Sequence, residues 1–108
     1  MTEPLISALR VDAHRVPLPD TESDGTLSWS ATTVVTVEAC AGGHAGLGWT
    51  YGPAAIAGVI EEVLWPVVHD VPSVDIGLAH LRMRQAARNA PTPGLLSYAI
   101  SAVDVALW

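Results

Sequence analysis

Lysine is absent from these 108 residues, and five arginines are the only basic side chains apart from four histidines. The missing amine excludes Schiff-base chemistry, a lysine general base and the phosphate-binding lysine of a P-loop. Eleven acidic residues leave a formal net charge of -6. So few cations argue against a nucleic-acid partner, because backbone phosphates are neutralised by clustered Lys and Arg. Cys40 is the single cysteine; no internal disulfide can form, which suits a reducing, cytoplasmic setting. Residues 1–18 are interrupted by Glu3, Arg10, Asp12, His14 and Arg15. Neither the apolar centre of a secretion signal nor a membrane span of about 20 residues is therefore expected.

Charged residues are also few, 15% against 50% hydrophobic, the reverse of the disorder signature, so the chain should fold around a core. The length allows one domain and excludes a complete eightfold barrel of strands and helices, which needs about 250 residues. A domain this short buries only about two-thirds of its unfolded surface.

Hydrophobic periodicity predicts three strands, over about 5–18, 27–39 and 45–51. In the first, Leu5, Leu9, Val11 and Ala13 share one parity, with Arg10, Asp12 and His14 on the other. Pro17 to Thr26, rich in turn formers and acids, reads as an exposed loop. In the second strand Leu27, Trp29, Ala31, Val35, Val37 and Ala39 alternate with polar residues, Thr33 and Val34 excepted. Ala41-Gly42-Gly43-His44 reads as a hairpin turn. The third strand carries bulk at Leu47, Trp49 and Tyr51, while Gly46, Gly48 and Thr50 leave the other face bare enough for a backbone or ligand to approach.

Three helices follow, over about 53–65, 73–89 and 94–108. Ile56, Val59, Ile60, Val63 and Leu64 recur at helical spacing with Glu61 and Glu62 outward, and Pro66 is expected to end that helix. Ser73 is the expected N-cap of the next helix, with Arg82, Arg84 and Arg88 placed to suit its C-terminal dipole. The last helix is apolar around nearly its whole circumference, only Ser97, Ser101 and Asp104 being polar. Such a helix is buried on every side, so a partner for its second face is expected downstream of Trp108. Tyr98, Ile100, Val103, Leu107 and Trp108 are its candidate contacts.

The usual chemical motifs fail. Asp20 to Gly25 imitates half a calcium loop, but Ala31 stands where the closing glutamate belongs. Gly42, Gly43, Gly46 and Gly48 lie between strands and do not form a dinucleotide-binding loop. His14, His44, His69 and His80 have no metal-ligand spacing. Glu61 and Glu62 are adjacent on a helix, pointing about 100° apart, and cannot face one substrate proton together. No serine or cysteine has a base at a recognisable spacing.

Four segments taken together, LISALRVDAHRVPLP, the acidic loop, TTVVTVEACAGGHAGLGWTYG and LLSYAISAVDVALW, resemble the N-terminal capping domain of the enolase superfamily. The likeness is to its mandelate racemase/muconate lactonizing enzyme branch. The resemblance implies an α+β fold, a three-stranded antiparallel meander followed by three α-helices. It lacks the C-terminal barrel that holds Mg2+ on three carboxylates and carries the acid/base residues. It implies a cap for a small carboxylate substrate, with acid-sugar dehydration, racemisation or epimerisation as the reaction, inactive as this fragment. The loops that would select substrate contain Pro19, Asp20, Glu22 and Asp24, and Trp49, Thr50 and Tyr51. Parity also allows Tyr51 to pack on the helices, and Trp49 is expected in the core. No catalytic residue, metal ligand or cofactor is expected on this chain itself; its partner would be a barrel in the same or a separate chain. The rival expectation is a free-standing, non-catalytic module that pairs with itself or another chain through its last helix.

Overall fold

The computed structural model describes residues 4–23, 28–88 and 93–108. Three strands, β1 (Ile6–Ser23), β2 (Ser28–Ala41) and β3 (His44–Tyr51), form one antiparallel sheet in that order. The β2–β3 turn is Gly42-Gly43 with φ of 55° and 82°. Left-handed geometry at both positions matches the twist of the strands and favours glycine. Then come α1 (Ala55–Val59), a π-helical segment (Ile60–Leu64), α2 (Trp65–Val68), α3 (Ile76–Ala87) and α4 (Pro93–Leu107). The first three are continuous and form one rod, so three helical units follow three strands, the expected α+β class.

The register fixes which side of the sheet is inside. Val37 lies between Val11 and Gly48, Val35 between Ala13 and Thr50, Ala39 between Leu9 and Gly46. Val35, Val37 and Ala39 are buried, facing the helices. The opposite face carries Arg10 paired to Glu38 at 3.5 Å, and His14 against Thr36 at 3.4 Å.

Two expectations for β1 are corrected. Ile6, not Leu5, enters the core: Ile6 is 2% exposed and Leu5 44%. The register slips between Ile6 and Ala8, and one unpaired residue, Ser7, reverses the parity of everything before it. The segment read as a loop from Pro17 also continues as strand to Ser23, paired with β2 as Glu22 opposite Trp29 and Ser23 opposite Ser28. A second register shift between Pro17 and Glu22 takes in Pro19, since a proline has no N–H for the ladder.

Pro66 does not end the first helical rod. The π turn precedes it, with the Trp65 N–H donating to the Ile60 carbonyl, and Pro66 falls in the first turn of α2. There its missing N–H leaves no bond broken. Ile56, Ile60, Leu64 and Val68 all point into the core along this rod. Ser73 is not the cap of α3. Its N–H donates to the Pro4 carbonyl at 2.9 Å, tying residues 70–73 to the start of β1, and Asp75 caps instead by accepting from the Leu78 N–H at 3.1 Å.

α4 packs on the bare face of β3. A Cβ on Gly48 would overlap the Ala102 carbonyl oxygen and lie 2.8 Å from the Ala106 nitrogen; one on Gly46 would overlap the Ala106 carbonyl. Helix backbone rests on strand backbone, and the glycines are what permits it. The buried side of α4 comprises Leu96, Ala99, Ile100, Ala102, Val103 and Ala106, while Ser97, Tyr98, Ser101, Val105 and Trp108 face out. No described helix is long and apolar enough to cross a membrane.

Candidate functional site

α4 runs antiparallel to β3, because Gly46 meets Ala106 and Gly48 meets Ala102. Its first turns therefore lie beside the end of β3, where the chain leaves the sheet. Gly52, at φ 149°, makes that exit and donates its N–H to the Thr33 carbonyl at 3.2 Å. The result is an open cleft of about 480 Å³ lined by Trp49, Thr50, Tyr51, Gly52 and Tyr98. The paired β1 and β2 extend past the end of β3, from Val16 opposite Thr32 to Ser23 opposite Ser28, at this same end of the sheet.

Three aromatic side chains dominate. Trp49 and Tyr51 stand edge to face with ring centroids 5.1 Å apart. They belong to the outer parity of β3, and with Tyr98 they are more than half exposed, at 53%, 57% and 55%. The expectation that Trp49 is core is thereby overturned, as is the alternative of Tyr51 packing on the helices. The helix came to the glycine face, so bulk went to solvent. Thr50, on the inner parity, donates its hydroxyl to the Tyr51 carbonyl at 3.0 Å. Among the described residues, no carboxylate, imidazole or thiol lines the cleft. Its described lining offers aromatic faces and hydroxyl groups with which a ligand can be held.

The other expected site residues divide. Pro19 is exposed on β1. Asp20 and Glu22 lie on the same strand with side chains outside the described part of the structure, and Asp24 lies outside the described residues. Of the expected contacts of the last helix, Ile100 and Val103 are corrected: they are 6% and 0% exposed, inside this domain's own core. Sheet and helices close over that side of α4 without outside help. Leu107 is half-buried, and Tyr98 and Trp108 remain open, Trp108 at 83%. Pairing through α4 would have to use Tyr98, Val105 and Trp108.

The histidines stay apart: His14 faces Thr36, His69 sits 3.4 Å from Asp70, and His80 sits 3.4 Å from Asp104. Among the described residues no three His, Cys, Asp or Glu side chains come together, so these residues do not fit a magnesium ion. Sequence reasoning placed Tyr98 with an interface and not with Tyr51. The signal that joins them is the glycine parity of β3, which calls for a close antiparallel helix whose start must then lie beside Tyr51.

No protein-family model matches the chain. A curated relative, the 3,6-anhydro-α-L-galactonate cycloisomerase of Streptomyces coelicolor, is 31% identical over 112 residues, covering 96% of this chain and 30% of its own. Among solved structures, a mandelate racemase/muconate lactonizing enzyme-like protein from Rubrobacter xylanophilus superposes with a TM-score of 0.93 at 43% identity, over 97% of this chain and 29% of that one. A racemase from Streptomyces coelicolor with bound magnesium gives 0.91 at 33% identity, over 96% and 31%. The chain thus spans less than a third of the length of each of these proteins.

Proposed function

Because the chain matches the N-terminal domain of mandelate racemase/muconate lactonizing enzyme-like proteins of the enolase superfamily, we propose that it is the substrate cap of such an enzyme. The catalytic groups and the magnesium ion belong, on this reading, to a barrel domain in the same or a separate chain. The substrate is a small carboxylate, with a sugar-derived acid favoured by the name of the cycloisomerase relative. The reaction is an isomerisation or a dehydration of that acid. One observation carries the reading: Trp49, Thr50 and Tyr51, where the resemblance puts a specificity loop, meet Tyr98 in a cleft at the end toward which β1 and β2 project. Aromatic faces and phenolic hydroxyls are suited to the C–H and O–H groups of a polyol acid, giving selection without chemistry.

A chimera tests it. The 108 residues replace the matching segment of the Streptomyces coelicolor cycloisomerase, and magnesium-dependent turnover of 3,6-anhydro-α-L-galactonate is followed. Turnover is expected, with Tyr51→Phe and Tyr98→Phe raising KM more than they lower kcat. A folded, magnesium-binding chimera whose kinetics ignore Trp49, Tyr51 and Tyr98 would end the proposal.

A further inference from the structure

We propose that the cleft between the end of α3 and the start of α4 binds a small oxyanion, a phosphate or a carboxylate, through Arg84, Arg88 and Ser97. The cleft measures about 220 Å³ and is lined by those three residues with Ala87, Leu96 and Ile100. Arg84 lies in the last turn of α3 and Arg88, four residues on, is its C-cap in helical geometry, so the two share one face. Both are exposed. Like charges at this spacing repel each other and destabilise a helix. In a chain with 11 acidic residues and five arginines, a carboxylate would be expected opposite them. Among the described residues neither arginine forms an ion pair; the pairs found there involve Arg10, His69 and His80.

An anion from outside the domain would supply the missing charge. Two guanidinium forks on one face can present parallel N–H donors to an oxyanion, which is the geometry arginine offers and a point charge does not. Ser97 adds a hydroxyl donor from α4. Buried Leu96 and Ile100, with half-buried Ala87, form an apolar floor that limits competing water and strengthens charge pairing. Among the described residues the cleft shares no lining residue with the aromatic cleft that Tyr98 lines. It stands or falls independently of the capping role.

The test is a titration of the 108-residue chain with phosphate, malonate and chloride, followed by the backbone amide and arginine Nε–H resonances. Saturating shifts at Arg84, Arg88 and Ser97 with phosphate or malonate, and not with chloride, are expected. The stronger of the two names the ligand class. The double substitution Arg84→Gln with Arg88→Gln should weaken binding about tenfold or more, and Ser97→Ala about threefold. Should the double variant fail to fold, Arg84→Lys with Arg88→Lys keeps the charge but loses the planar fork, and should still weaken binding about threefold. Shifts that grow without saturating and spread equally over all five arginines, or an equal response to chloride, would show only general screening and overturn the proposal.

Discussion

The two faces of β3 are made from alternate residues of one eight-residue strand, yet they meet opposite environments. Gly46 and Gly48, with almost no side chain, lie against the backbone of α4. Leu47, Trp49 and Tyr51, with the largest side chains in the segment, stand more than half exposed. Side-chain size commonly signals burial, and here it points the wrong way. The deciding quantity is how closely the neighbouring helix approaches. A helix at backbone contact leaves no volume for side chains on the strand beneath it, so the smallest residues mark the inside. The same inversion divides α4, where Ala102 and Ala106 touch the strand and the large Tyr98 and Trp108 are exposed.

The largest effect should come from the smallest change on the inner face. Gly48→Ala adds one carbon where the Ala102 carbonyl already stands, with the Ala106 nitrogen at 2.8 Å. Both obstacles are backbone, so no rotamer change relieves them and α4 must move away from the sheet. A loss of about 3 kcal/mol or more is expected, at the upper end of overpacking costs, read as a lowered urea midpoint by circular dichroism. A variant as stable as the parent would mean that α4 does not rest on the glycines.

A matched pair on α4 gives the next effect and separates burial from composition. Val103 is fully buried and Val105 is 53% exposed. Val103→Ala removes two methyl groups from the core and should cost about 2 kcal/mol through lost transfer energy and a residual cavity. Val105→Ala should lie within about 0.5 kcal/mol of the parent. Equal losses in the two variants would mean that α4 is covered on both sides in solution, as by self-association, and sedimentation of the parent would then show a dimer.

The strand order, the inner parity of β2 and the three helical units were legible because each rests on local periodicity. Val35, Val37 and Ala39 alternate with polar residues over a long enough stretch to fix a face. The misreadings occur where one residue changes the frame. Ser7 reverses the parity of Leu5 and Ile6, and a π turn re-phases the rod before Pro66; no periodicity of side chains announces either. Asp75 and Ser73 are both acceptable caps by composition. The choice fell to Asp75 because the Ser73 backbone is bound to Pro4, a contact between residues far apart in sequence. The candidate cleft was half legible for a similar reason. Trp49, Thr50 and Tyr51 are adjacent in sequence, while Tyr98 joins them only through the packing of α4 on β3.

The outer face supplies the smallest expected effect, and with it the sharpest form of the comparison. Trp49→Ser deletes the largest side chain on the strand, yet what it removes is contact with Tyr51 at a centroid distance of 5.1 Å and a half-exposed ring. An exposed aromatic pair contributes about 0.5–1.5 kcal/mol, and solvent competes for this one on its open side. A loss of about 0.5 kcal/mol in the 108-residue chain is therefore expected, measured by urea unfolding beside Gly48→Ala. The ranking of the two variants would then run opposite to the mass of side chain altered. Should Trp49→Ser cost about 2 kcal/mol or more, the outer face is covered in solution and the contrast between the faces of β3 fails. The same substitution in the cycloisomerase chimera carries the comparison to the proposed function: if the barrel mouth lies against this end of the sheet, the stability loss there should exceed that in the isolated chain, because the ring then has a second surface to lose.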